Sequence, residues 1–349
     1  MSRNKAARIV ALMLLIIMLS STIISCEREQ KITAKNRIYY DYFDTVSTIY
    51  DYTGGSEDDF RQVYTHFEDR LSYYHKLFDI YNEYEGINNI ATVNRLAGKE
   101  AVKVDAELIE FLEYAMEMHT LTGGYMNIAM GSVLSIWHEY RTVGDSLPKM
   151  EQLTAVAEHT DIKDIVIDKE KSTVYISDPE MSLDVGAIAK GYAVERIAKS
   201  LESYGISSYV LDVGGNLRAI GTKKDGSGWR TGVQNPRPTA DKPYVYYLNI
   251  SNGSVVTSGD YQRYYTVDGK NYHHIINKDT LMPAEYFSSV TVVTRDSGLA
   301  DTLSTALFNM DYERGLALVS SISGVAVVWV KMDGEIKTYN IDGENVNNT

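Results

Sequence analysis

Apolar and polar residues alternate along this chain with two different periods, and the switches between them mark its elements. Residues 38 to 52 follow a strand-like pattern rich in Tyr, Ile, Val and Thr, broken around Phe43-Asp44-Thr45. Residues 58 to 74 predict an amphipathic helix. A stronger helix spans 107 to 121, with Asp105 as its N-cap and Gly123-Gly124 as its stop. Residues 165 to 168 and 173 to 177 predict a hairpin. A short apolar strand runs into Asp184, the chain turns on Gly186, and a helix over 187 to 204 ends at Gly205. A strand over 209 to 213 is closed by Gly214-Gly215. Further strands are expected over 229 to 233, 244 to 250, 254 to 257, 263 to 267 and 288 to 294. Helices over 300 to 309 and 313 to 320 precede a buried strand over 325 to 330. Strands and helices do not alternate regularly, which predicts an α+β fold of mixed sheets with packed helices. No repeat or Pro-rich linker divides the chain, so one compact catalytic module is expected over residues 37 to 345.

The N-terminus reads differently. Arg3, Lys5 and Arg8 precede an apolar run over 9 to 19, then small residues, then Ile23-Ile24-Ser25-Cys26. This is the pattern of a secretory signal, too short to span a membrane. Its end resembles a bacterial lipobox, which implies cleavage after residue 25 and a lipid on Cys26. An uncleaved anchor helix is the alternative. Both place the folded part outside the cytoplasmic membrane, with residues 26 to 36 as a polar tether.

Charge and cysteine content narrow the chemistry. The net charge is −13, and beyond residue 25 the chain sets 31 basic residues against 47 acidic ones, a balance of −16. Such a surface repels polyphosphate backbones and argues against nucleic acid as a partner. An anionic ligand would need a local cation. Cys26 is the single cysteine, which excludes an internal disulfide and a cysteine-based metal site.

Candidate chemistry gathers in a few stretches. Asp184, Gly186 and Lys190 set a carboxylate, a helix start and a lysine around one point, an arrangement suited to a phosphate or a metal holding one. Gly186 and Gly191 have P-loop spacing, but Tyr192-Ala193 replace the Lys and Ser/Thr of that motif. Asp301 and Thr305 lie four apart on one helix and present hard oxygen ligands of the kind Mg²⁺ takes. His273 and His274, adjacent in a strand, point to opposite faces, so one can face a site while the other faces solvent. Tyr125 and Met126, beside Gly124, can stack on a flat ring. Each stretch also has a plain structural use, as a cap, a turn or core packing.

Taken in order, Leu183-Asp184-Val185-Gly186-Ala187-Ile188-Ala189-Lys190-Gly191-Tyr192-Ala193, Val213-Gly214-Gly215-Asn216, Thr257-Ser258-Gly259-Asp260-Tyr261, His273-His274-Ile275 and Ala300-Asp301-Thr302-Leu303-Ser304-Thr305-Ala306 resemble the bacterial FAD:protein FMN transferases, the ApbE family. The resemblance runs over residues 39 to 333. It implies an enzyme that cleaves the diphosphate of FAD, joins FMN to a Thr or Ser hydroxyl of an acceptor protein and releases AMP. It also implies Mg²⁺ held by Asp301, Thr305, the Ala187 carbonyl and a backbone group of Ser304. Asp184, Lys190 and His274 would contact FAD, with Phe43, Tyr81, Tyr125, Met126 and Asn127 as further flavin-side positions. His274 and Asp301 are the candidates for a general base. Met126-Asn127 stands where the family often has Phe-Asp, and residues 277 to 281 depart from its usual loop. The alternatives are an FAD pyrophosphatase with water as acceptor, and a flavin-carrying lipoprotein that needs no metal.

Overall fold

The computed structural model describes residues 33 to 346. The signal segment and Cys26 lie outside the described residues. No helix among the described residues is long and apolar enough to cross a membrane.

Strands β1 (Lys35–Tyr42) and β2 (Thr45–Asp51) form a hairpin. Its two connecting residues, Phe43 and Asp44, have φ of 55° and 50°. Two successive left-handed residues suit the twist of a tight hairpin, and they account for the break in the strand pattern. Pairing begins at Lys35, whose Nζ donates to the Ser56 carbonyl at 2.9 Å. The folded module therefore starts inside the stretch expected to be tether.

Strands β3 (Tyr209–Val213), β4 (Asn216–Ile220), β5 (Ser254–Gly259), β6 (Phe287–Thr294), β7 (Ala326–Lys331) and β8 (Ile336–Tyr339) complete an eight-stranded sheet. Its spatial order follows the chain, and every neighbouring pair is antiparallel. The helices are excursions between its strands, which is the α+β architecture expected. A smaller sheet containing Trp229–Thr239 and Lys242–Ile250 is mixed, with Asn345 pairing in parallel to Asn249.

The large sheet is covered on both faces, and β6 is buried at every position. Alternation along the strands divides the side chains between two cores. Val256, Val290 and Val292 face the helices, while Val255 and Val293 face Trp229, Leu248 and Ile250 of the smaller sheet. Helix α1 (Glu57–Phe78) opens on a capping box between Ser56 and Asp59. It runs four residues past its expected end because Leu77 and Phe78 continue its buried stripe. Helix α2 (Ala106–Leu121) is capped by Asp105 and stopped by Gly123 and Gly124, both at positive φ, as expected.

Helix α3 (Gly131–Val143) has no counterpart in the sequence reading. It lacks a side-chain cap and buries only Gly131, Val133 and Trp137. It packs with Tyr265 and Ile276 in a separate small core. Helices α4 (Ala189–Ser203) and α5 (Ser297–Phe308) lie against each other on the sheet, and between them they carry the candidate chemistry.

Candidate active site

The segment before α4 is extended but belongs to no sheet, which corrects the expected strand. Its backbone groups are met elsewhere, as buried amides require. Leu183 N–H donates to Asn94 Oδ1 at 2.7 Å, Asn94 Nδ2 donates to the Leu183 carbonyl at 3.0 Å, and Asp184 N–H donates to the Ile128 carbonyl at 2.8 Å. Asp184 is thereby fixed at the entrance to α4, and its Oδ1 accepts the Gly186 N–H at 2.9 Å. Lys190, half-buried, donates to the Gly186 carbonyl at 3.2 Å.

Helix α4 has no side-chain cap of its own. One donor of its first turn, the Gly191 N–H, goes instead to Asp301 Oδ2 of α5 at 2.8 Å. In a continuous helix that N–H would donate to the Ala187 carbonyl. No backbone N–H among the described residues donates to Ala187, so its carbonyl keeps its acceptor capacity. Asp301 is free for this role because Asp296 caps α5, accepting from Leu299 N–H at 3.0 Å. The helices approach closely at Gly191. A Cβ there would lie 2.4 Å from Asp301 Cβ and 2.4 Å from the Ser297 carbonyl oxygen.

One turn further along α5, β5 reaches the same place. Ser258 Oγ lies 2.9 Å from Ser304 Oγ and 3.3 Å from Thr305 Oγ1. Strand β5 runs two residues past its expected end and stays paired to β6 through Gly259. Burial pushes the Asp301 carboxyl above its ordinary range, opposed by Lys190 and the Gly191 N–H. Burial also raises Asp184, opposed by the Gly186 N–H, His138, Lys190 and Arg141. Carboxylates so placed are costly unless a cation accompanies them. The described residues hold no cluster of three His, Cys, Asp or Glu side chains that could hold a metal ion. The oxygens gathered here are one carboxylate, hydroxyls and a carbonyl, a donor set that fits a hard cation sharing its shell with water and phosphate.

A second cluster, the outer wall, lies within electrostatic reach of Asp184 through His138 and Arg141. Tyr81 OH lies 3.2 Å from His138 Nδ1, and Arg141 donates to the same nitrogen at 3.1 Å. Arg263 donates to the Asp44 carbonyl at 3.3 Å, tying the β1–β2 turn to the wall. His274 Nδ1 lies 3.2 Å from the Arg263 carbonyl. A carbonyl only accepts, so Nδ1 carries the proton and Nε2 is left as an acceptor. Burial drives the His274 pKa down to about 3, assisted by the charges of Arg263 and Arg141, so the ring is neutral near pH 7. His273 faces the core and not solvent. Its Nε2 donates to the Ala284 carbonyl at 2.7 Å and its Nδ1 accepts from Ile275 N–H at 3.2 Å, a fully satisfied structural histidine.

A family model described as the ApbE family matches residues 43 to 329. This chain belongs to the ApbE family. An FAD:protein FMN transferase of Treponema pallidum (strain Nichols) is 31% identical over 265 residues, covering 71% of this chain and 72% of that one. An FAD:protein FMN transferase of Klebsiella pneumoniae (strain 342) is 28% identical over 283 residues, covering 79% and 86%. Among solved structures, the ApbE protein of Thermotoga maritima MSB8 superposes with a TM-score of 0.77 at 27% identity, covering 87% of this chain and 96% of that one. The flavin transferase ApbE from Vibrio cholerae gives 0.73 at 26% identity, covering 88% and 97%.

Within this ApbE frame the expected site residues divide. Asp184, Lys190, Asp301, Ser304 and Thr305 gather around the α4–α5 junction, with Ala187 just before α4. Phe43, Tyr81 and His274 belong to the outer wall, where the Phe43 N–H donates to His75 Nδ1 at 3.2 Å. Tyr125, Met126 and Asn127 have other engagements. Tyr125 OH donates to Asp279 at 2.8 Å, with Lys278 and Arg314 over its ring. Met126 is buried in the main core, and Asn127 bonds the Thr160 carbonyl and the Ala129 N–H. Sequence reasoning passed over His138, Arg141, Arg263 and Ser258. Gly144, left-handed at φ 80° as the C-cap of α3, was the signal that could have revealed the helix bearing His138 and Arg141.

Proposed function

We propose that this protein transfers the FMN half of FAD to a Thr or Ser hydroxyl of an acceptor protein and releases AMP, outside the cytoplasmic membrane and tethered by a lipid on Cys26. The observation that carries the reading is the Gly191–Asp301 bond. It joins two of the family-like motifs at one point, on the helix that also carries the Thr305 hydroxyl, one turn beyond Asp301.

Asp301, Thr305, the Ala187 carbonyl and a backbone group of Ser304 would hold Mg²⁺. Mg²⁺ bound there would offset the negative charge that grows on the diphosphate as it is cleaved. Lys190 adds positive charge in a chain whose surface is strongly acidic. Asp184, at the entrance to α4, orients the same end of the substrate. On the flavin side, Phe43 and Tyr81 supply aromatic surface and His274 Nε2 accepts a hydrogen bond. Tyr125, Met126 and Asn127, engaged by the contacts described above, take packing roles away from the wall.

In the transfer, the acceptor oxygen forms a bond to the FMN phosphorus. The P–O bond to the AMP phosphate breaks, its electron pair leaves with AMP, and the hydroxyl proton passes to solvent. The low pKa of His274 suits orientation better than proton abstraction at neutral pH.

The test incubates the full-length protein with FAD, Mg²⁺ and co-expressed candidate acceptors. Covalent flavin is read by fluorescence on a denaturing gel and AMP by chromatography. Labelled acceptor with equimolar AMP is expected, lost on chelation and restored by Mg²⁺. Free FMN with AMP and no labelled acceptor would point to a pyrophosphatase, and intact bound FAD to a carrier.

A further inference from the structure

Two backbone–carboxylate bonds link α4 and α5 in opposite senses. Asp301 of α5 accepts the Gly191 N–H of α4, and Glu195 of α4 accepts the Ser297 N–H of α5 through Oε2 at 2.9 Å. Gly191 and Glu195 are one helical turn apart, as are Ser297 and Asp301. The helices therefore pass antiparallel and are tied at two successive rungs. The tie is backed from the sheet. Arg218 on β4, 1% exposed, donates Nε to Glu195 Oε2 at 3.1 Å. Arg218 is held in turn by Glu202 Oε1 at 2.8 Å and Asn252 Oδ1 at 3.1 Å. Lys199 Nζ lies 3.4 Å from Glu195 Oε1. Glu195, 4% exposed, is shielded from any substrate and acts only through what it holds.

The contact at Gly191 leaves no slack, so a slide or roll of α5 on α4 would carry the Asp301 carboxylate and the Thr305 hydroxyl with it. We infer that Glu195, backed by Arg218, is a positioning residue. Through the Ser297 N–H it sets the register of α5 on α4, and so the aim of the Asp301 and Thr305 oxygens at a divalent ion. This rests on the Mg²⁺ site proposed above.

The test measures Mg²⁺ binding to the full-length protein without FAD, by calorimetry and by the Mg²⁺-induced rise in Tm, alongside the Mg²⁺ dependence of flavin transfer. Glu195→Gln keeps the shape and loses the charge-assisted bond to Arg218. Its half-saturating Mg²⁺ concentration should rise about 10-fold, the scale at which outer groups tune metal sites. Its transfer rate at saturating Mg²⁺ and its KM for FAD should stay within about twofold of wild type, a split that general unfolding does not produce. Ser297→Pro is the second variant. It deletes the donated N–H, together with a buried hydroxyl that has no hydrogen-bond partner, at a first-turn position where proline is tolerated after the extended Asp296. It should weaken Mg²⁺ binding in the same direction, and it decides the matter if Glu195→Gln fails to fold. Wild-type Mg²⁺ affinity in the folded variants would overturn the inference and leave the metal reading standing. Absence of Mg²⁺ binding by the wild type would overturn both.

Discussion

At the α4–α5 junction a carboxylate is held by a backbone N–H, across a gap too narrow for any side chain at Gly191. On the outer wall, Tyr81, His138, Arg141, Arg263 and His274 meet through side-chain ends and loop carbonyls, and Tyr81 is 63% exposed. The first region is rigid because two packed helices and the sheet behind them fix its geometry. The second can adapt, because long side chains from a helix and from loops share few bonds. The contrast suits a reaction in which the diphosphate must be placed tightly, while the far side admits a flat ring and, at its mouth, the surface of another protein.

The sharpest way to break this contrast is at the junction itself. Asp301→Ala should lower flavin transfer by on the order of 10³-fold or more, several kcal/mol of lost charge stabilisation. Circular dichroism should still show a folded chain, since the substitution also removes a desolvated carboxylate. Transfer near the wild-type rate would show that Asp301 is not a ligand.

Gly191→Ala probes the close approach. Alanine in a helix ordinarily gains about 1 kcal/mol over glycine. Here the added methyl meets Asp301 and the Ser297 carbonyl, so a net loss of about 1–3 kcal/mol is expected from overpacking, read as a lower Tm. A raised Tm would mean that the helices have room to part.

On the wall the expected effect is smaller and depends on pH. Folding depresses the His274 pKa from 6.5 to about 3. Between those values the unfolded chain binds a proton that the folded chain does not, so stability falls as pH drops through that window. His274→Asn should therefore lose less Tm than wild type between pH 6.5 and the acid limit of folding. Equal slopes would place His274 in an ordinary solvated setting.

Much of the frame was legible because caps and glycines act locally. Asp105 with Gly123-Gly124 bounded α2, and the break read around Phe43-Asp44-Thr45 is where the structure makes a hairpin turn. The α3 helix was not legible, since it begins without a capping side chain and buries a sparse stripe, and His138 and Arg141 went unseen with it. Asp301 and Thr305 stood out by their helical spacing and Ala187 and Ser304 only through the family resemblance, which implied that the two segments meet; the bond by which they meet was not legible. Gly191 looks in sequence like part of an incomplete P-loop. Its use, letting a second helix close enough for Asp301 to take its N–H, depends on packing between segments more than a hundred residues apart. The role of His273 was hidden because its partners, the Ala284 carbonyl and Phe308, lie outside its own strand and meet it only on folding.

The most direct measurement is anomalous diffraction from crystals soaked with Mn²⁺ in place of Mg²⁺. The account predicts one strong peak bounded by an Asp301 oxygen, the Thr305 hydroxyl and the Ala187 carbonyl. FAD turnover without a peak there, or with the ion bound elsewhere, would contradict it.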